Sequence, residues 1–308
     1  MSSATIPARV ARGAGTSVLR PSFLGMVRGE FLKVARQWST WIMLALLVGV
    51  LCLPFLISLT GSGFKEVLQQ DPLDAMYRTM GRNLLVLRVF VGPVLVVLTA
   101  RLIGMEYSSG TIRVLLARGV GRLQLLGAKL VVLGIIGLAI LVGGLLVELL
   151  LTVANVGIIA GNLDALKALN SGFWDDTRMY VVTIAISMAV TILMAAAVTI
   201  LGRSLAVGLS VGLTFFAADN IGVIFFYLAF RLTNGDFWNL ATGDLLGPNL
   251  NAMPRVLLSH QAGAAKFGSL QLPLVPVTGG HTLLVTGIWS AAFIVAMVWL
   301  TWKRDIKE

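Results

Sequence analysis

Long apolar runs broken by shorter polar stretches set the pattern of this chain. Six runs are long enough to cross a bilayer as helices: roughly Trp38–Leu59, Leu84–Ile103, Leu130–Val153, Met179–Leu201, Leu205–Phe230 and Leu283–Trp302. A hydrocarbon core of about 30 Å, crossed at about 1.5 Å per residue, needs about 20 residues. Strands are not expected, because an open strand leaves backbone groups unsatisfied in lipid. The pattern predicts an all-α membrane protein with a six-helix transmembrane domain over residues 38–302.

Composition agrees. Hydrophobic residues make up 57 % of the chain and charged residues 12 %, with a mean hydropathy of +0.90. Soluble domains carry about 25 % charged residues, so two soluble domains are excluded. The net charge of +10 would suggest nucleic acid in a soluble protein; here it fits basic residues retained on one side of a membrane. The single cysteine, Cys52, rules out an internal disulfide. With the N-terminus inside, 15 of the 24 Lys and Arg residues fall on inner segments, although the outer connections are longer. The positive-inside rule therefore places both termini in the cytoplasm.

Residues 1–20 read as a disordered cytoplasmic tail, and 303–308 as a second tail. Residues 21–37 read as an amphipathic helix in the headgroup plane. Phe23, Val27, Phe31, Val34 and Trp38 form its apolar stripe, opposite Arg28, Lys33 and Arg36. The outer connections are Thr60–Asn83, Ala154–Arg178 and Arg231–Thr282; apolar clusters in the long loop 231–282 predict short helices resting on, or dipping into, the outer face.

The polar loop 105–129, between the second and third runs, carries the most information. Ser108 or Ser109 can cap a helix with Gly110 and Thr111 in its first turn, and Ile112, Leu115 and Leu116 follow at helical spacing. The product is a short helix across the membrane surface, with Arg113 and Arg118 reaching outward. On its own, this could equally be a charged loop that only sets topology.

The run Glu106-Tyr107-Ser108-Ser109-Gly110-Thr111-Ile112-Arg113-Val114-Leu115-Leu116-Ala117-Arg118, then Val120, Arg122 and Lys129, resembles the cytoplasmic signature of permease subunits of type-2 ABC exporters. The layout is similar too, from Glu30-Phe31-Leu32-Lys33 before the first span to the cytoplasmic ends. Gly119 departs from the proline that such permeases commonly have there. The resemblance implies a coupling helix that docks on a separate cytoplasmic ATPase, with Glu106, Gly110, Thr111, Arg113, Leu116, Arg118 and Arg122 as the contact. Glu30 and Lys33 in the interfacial elbow helix would support it. It also implies a homodimer, or a heterodimer with a related permease, in a bacterial-type plasma membrane. No Gly-x-x-x-x-Gly-Lys-Ser/Thr loop occurs, so ATP and Mg are expected on the partner, and no cofactor on this chain.

Charges inside the spans are costly and usually paired. Arg88, Glu148 and Asp219 all fall in the outer half, and Arg88 is expected to pair with one of the two carboxylates. Ser204, Gly208 and Gly212 place small residues on one face of the fifth span, suited either to packing within the chain or to a dimer seam. The only histidines, His260 and His281, lack companion ligands, so no metal site is expected. Two other readings remain: a non-transporting anchor or sensor for a soluble partner, and a membrane-embedded lipid-modifying enzyme, for which no catalytic set is visible.

Overall fold

The computed structural model describes residues 22–60, 63–117, 119–258 and 270–303; Arg118, His260, the tail 1–20 and all of the tail 303–308 except Lys303, which ends the last helix, lie outside that set. The described residues form helices and turns only. Helix α1 (Phe23–Ala35) stops before Gln37, whose extended backbone breaks it from α2 (Trp38–Leu51). With α3 (Leu53–Thr60), α2 makes one apolar stretch of 23 residues. Pro54 is tolerated there because the first turn of α3 needs no donor.

Helix α4 (Gly63–Gln70) leads into α5 (Pro72–Ser108), whose start is fixed by Pro72 and by Asp71 Oδ1 accepting from the Asp74 amide at 3.0 Å. A short helix α6 (Thr111–Ala117) separates α5 from α7 (Arg122–Ala160). A 3₁₀ turn at Asp164–Ala168 precedes α8 (Ser171–Gly202) and α9 (Leu205–Ile221). Then come α10 (Val223–Thr233), α11 (Phe237–Ala241), α12 (Leu246–Leu257) and α13 (Gly279–Lys303).

Among the described residues, five helical stretches, the first being α2 with α3, are long and apolar enough to cross a membrane, or six if α9 and α10 form one crossing. That pair is bent by 55°, whereas the apolar pattern predicts an unbroken span over Leu205–Phe230. Gly222 sits at the bend, where a Cβ would fall 2.2 Å from the Ala218 carbonyl oxygen. Any other residue would have to open the turn.

The helices also run past the ends of the apolar runs. Helix α5 has 37 residues and α7 has 39, about 55–58 Å at the usual rise against roughly 45 Å for a whole bilayer. Much of the excess lies at the end away from α6. There α4, the start of α5, the end of α7 and the start of α8 close over Met76, Tyr77 and Phe173. The Tyr77 and Phe173 rings meet edge-on at 5.1 Å, and the Tyr77 hydroxyl donates to Asp176 Oδ2 at 3.0 Å.

Helix α5 is the centre of the bundle, packed chiefly against α8 and α9. The face of α9 bearing Gly208 and Gly212 is consumed in this contact. A Cβ on Gly208 would lie 2.4 Å from Thr199 Oγ1, and one on Gly212 would lie 2.9 Å from Val96. The small face thus packs within the chain, and Ser204 only precedes α9 as its cap residue. On α7, Gly137 and Gly144 pack inward, whereas Gly134 and Gly143 face open space.

Gly208→Leu is expected to destabilise the bundle by about 1–3 kcal/mol or more through overpacking. A thermal scan of the purified chain in detergent should show a lowered midpoint; an unchanged midpoint would contradict this packing.

Candidate functional site

Four charged side chains gather where α1, α5 and α7 meet beneath α6. Lys33 Nζ lies 2.5 Å from Glu30 Oε1 and 2.7 Å from Glu106 Oε1. Lys129 Nζ lies 2.7 Å from Glu30 Oε2 and 3.0 Å from Glu106 Oε1. Two carboxylates and two ammonium groups thus alternate in a closed, electrically balanced ring. A third donation, from Lys129 to the Leu102 carbonyl at 2.8 Å, fastens the ring to the α5 backbone.

The local structure explains the assembly. Glu30 and Lys33 stand three residues apart on α1 and share a face. Glu106 lies in the last turn of α5, and Lys129 two turns into α7. Glu30, Glu106 and Lys129 are buried, while Lys33 is half-exposed. Burial pushes the Glu30 carboxyl up, but Lys129 and Lys33 together outweigh it and hold it below its ordinary 4.5. Burial likewise pushes Lys33 down, yet its hydrogen bonds to Glu106 and Glu30 leave it above its ordinary 10.5.

Helix α6 stands on this base. Ser109 caps α5, with its hydroxyl donating to the Met105 carbonyl at 2.7 Å, and Gly110 turns the chain at φ +68°. The Ser108 hydroxyl accepts from the Leu205 amide at 3.2 Å, tying the same corner to α9. Thr111 and Arg113 are exposed. Ile112 and Leu116 turn inward to a small hollow shared with Tyr107, Ile200 and Leu300. Arg122 lines the same hollow, half-buried.

The far end of α6 closes as a Schellman turn: the Gly119 amide donates to the Leu116 carbonyl at 2.9 Å, and the Val120 amide to the Leu115 carbonyl at 3.3 Å. Gly119 has φ +83°, a left-handed conformation that proline cannot adopt, which accounts for glycine at this position. Between α6 and the α1–α2 corner lies a cleft of about 480 Å³, lined by Lys33, Arg101, Met105, Glu106, Thr111 and Leu115. Arg101 donates to the Ser39 hydroxyl across its floor.

The charges toward the other end are arranged differently from the sequence expectation. Arg88 makes no ion pair with Glu148 or Asp219 among the described residues; its Nη2 donates to Asn251 Oδ1 of α12 at 2.8 Å. Asn251 donates in turn to the Gln271 carbonyl at 2.9 Å. Residues 246–254 of α12 are buried without interruption, so α12 is sunk into the bundle and Arg88 anchors it. Asp219 lies against the Gly247 backbone, and Arg82 is the cation nearest in effect to buried Glu148. The three expected residues therefore belong to three separate contacts.

Of the expected contact residues, the structure brings Glu30, Lys33 and Glu106 together, leaves Gly110, Thr111 and Arg113 on α6 or its approach, and turns Leu116 inward. Lys129 completes the ring, although the resemblance brings it in only as the end of the signature run and assigns it no contact. Its signal in the sequence is a lone lysine at the edge of an apolar run.

This geometry defines a multi-pass helical membrane protein with a short helix presented at one end of its bundle. Residues 26–219 match the family described as ABC-2 family transporter protein, and the chain belongs to that family. No curated protein matches it. The chain is thus a transmembrane component of an ABC transporter, of a kind that works with a partner ATPase subunit.

Removing Lys129 leaves buried carboxylates short of a counter-charge, a change that typically costs about 3–5 kcal/mol. Lys129→Met should lower thermal stability, and Glu30→Gln in the same chain should recover part of the loss; two additive losses would contradict the ring. The pH dependence has two edges. Glu30, held below its ordinary value, contributes stability above about pH 4.5 that is lost as pH falls through its folded value. Lys33, held above its ordinary value, contributes stability below about pH 10.5 that is lost as pH rises through its folded value. The Glu30 and Lys33 contributions should both be fully present between these edges, and Glu30→Gln should weaken the acid edge.

Proposed function

We propose that the chain is the membrane-spanning subunit of an ATP-driven exporter, moving its substrate by alternating access. In this reading the α6 end is cytoplasmic, with both termini on that side, and α6 is the helix onto which a separate ATPase docks. Gly110, Thr111 and Arg113 form the docking rim, with Arg118 placed there by sequence position and Arg122 at its edge. Leu116 holds α6 to the bundle. Glu106 works from below, through the ring with Glu30, Lys33 and Lys129. Nucleotide and magnesium belong to the ATPase, and two permease chains, identical or related, face two ATPases.

The observation that carries this reading is the mounting of α6. A docking helix must be exposed on one side and unyielding on the other, or a push on it is lost as local bending. Helix α6 is joined to α5 by only Ser109 and Gly110, and it stands over a ring that ties α1, α5 and α7. The adjoining cleft would accept apolar side chains from the partner. Four tryptophans, Trp38, Trp41, Trp299 and Trp302, are exposed at the same end, as expected of an aromatic belt at the inner interface.

The test is co-purification with the ATPase from native membranes, followed by transport in proteoliposomes. Arg113→Glu should weaken retention of the ATPase about tenfold, or about 1.4 kcal/mol, while the isolated chain remains folded. Retention and ATP turnover indifferent to this change would overturn the docking assignment. Docking without ATP-coupled flux would favour the anchor reading.

A further inference from the structure

A second cavity, unrelated to the α6 cleft, lies on the membrane-facing side of the bundle. It is a groove of about 570 Å³ between α2 and α7, lined by residues that include Phe31, Trp41, Leu44, Leu51, Ile140 and Gly143. We infer that this groove holds one acyl chain of an anionic phospholipid from the leaflet on the α6 side.

Depth is the first argument. The groove begins against α1, at Phe31, Val34 and Ala35, and runs along α2 from Thr40 to Leu51. Eleven residues of helix rise about 16 Å, and half of a hydrocarbon core is about 15 Å. The lining on α7, from Ile136 to Val147, has the same length. The hollow is therefore about half as long as a crossing helix from a second copy would occupy, a length that suits one lipid tail.

The floor of the groove is the second argument. Gly143 and Gly144 are adjacent on α7 but serve different ends. A Cβ on Gly144 would lie 2.6 Å from Leu87 Cδ1, so that glycine lets α7 approach α5. A Cβ on Gly143 would meet nothing within 4 Å. Internal packing does not require glycine at 143, and its missing side chain is what deepens the hollow.

Charge at the mouth is the third. Arg28 lies three and seven residues before the groove-lining Phe31 and Ala35, which places it at the border between the apolar stripe of α1 and its basic side, within reach of the groove's edge. Arg36 adjoins Ala35. Both are exposed, and neither has a carboxylate partner among the described residues. Lys33 is committed to the ring. Two arginines at the headgroup end of an apolar groove match a phosphate whose tail lies below.

Native mass spectrometry of the full chain in detergent, titrated with phosphatidylglycerol or phosphatidylcholine of identical chains, tests this. The wild-type chain should hold phosphatidylglycerol at lower lipid concentration than phosphatidylcholine. Gly143→Leu puts a side chain into the hollow from a Cβ that meets nothing within 4 Å and should require at least tenfold more of either lipid; Ala139→Leu, which also lines the groove, is the second variant should the first fail to fold. Arg28→Gln with Arg36→Gln should abolish the preference for phosphatidylglycerol while leaving phosphatidylcholine binding unchanged. Equal adducts on the wild-type chain and folded Gly143→Leu would overturn the inference. So would a change in the dimer fraction of the same spectra with adducts unaltered, which would make the groove a seam between copies.

Discussion

The structure depends on the alternating ring of Glu30, Lys33, Glu106 and Lys129. Three of its members are buried, and buried ions are tolerated only when each finds its counter-charge in good geometry. That demand makes the ring selective: α1 must lie where Glu30 reaches Lys129, and α5 must end where Glu106 reaches both lysines. A hydrophobic substitute can match such a ring in stability, but it does not fix three helices in one register. The corner that carries α6 is set by this constraint, and the exposed rim of α6 follows from it.

A second constraint is close approach around α5. Gly104 accepts the backbone of Leu205, and Gly208 and Gly212 accept Thr199 and Val96. Without such contacts α9 would stand off from α5, and the apolar faces here would meet lipid instead of each other. In a bilayer, where apolar surface gains little by leaving lipid for protein, this packing is the available source of helix association. Helix α12, sunk beside α8 and α13 and held by Arg88, closes the other end of the bundle with polar contacts that the apolar faces cannot supply.

The crossings were legible in the sequence because twenty apolar residues have few other uses. Their true lengths were not: an apolar run marks where lipid begins, whereas a helix stops only at a breaker, and Asn83, Arg82 and Thr79 are not breakers. The bend at Gly222 was hidden because glycine is frequent in spans and only rarely bends one. Glu30, Lys33 and Glu106 were singled out by the resemblance of their runs to the permease signature and layout. Their partnership with Lys129 was not, since 99 residues separate Glu30 from Lys129 and no local spacing records such a pair. Arg88 was recognised as needing a partner, but a carboxylate was the natural expectation; the asparagine that serves it lies 163 residues away in a segment that reads as a loop.

The central claim is that α1, α5 and α6 move as one body when the ATPase acts. Spin labels at exposed Leu24 of α1 and Val114 of α6, in a chain with Cys52 replaced, report this directly through their separation across the nucleotide cycle. The account predicts one distance distribution in all nucleotide states. A distance that changes when nucleotide binds would show α6 moving independently of the elbow, and the ring could not then be what carries the load.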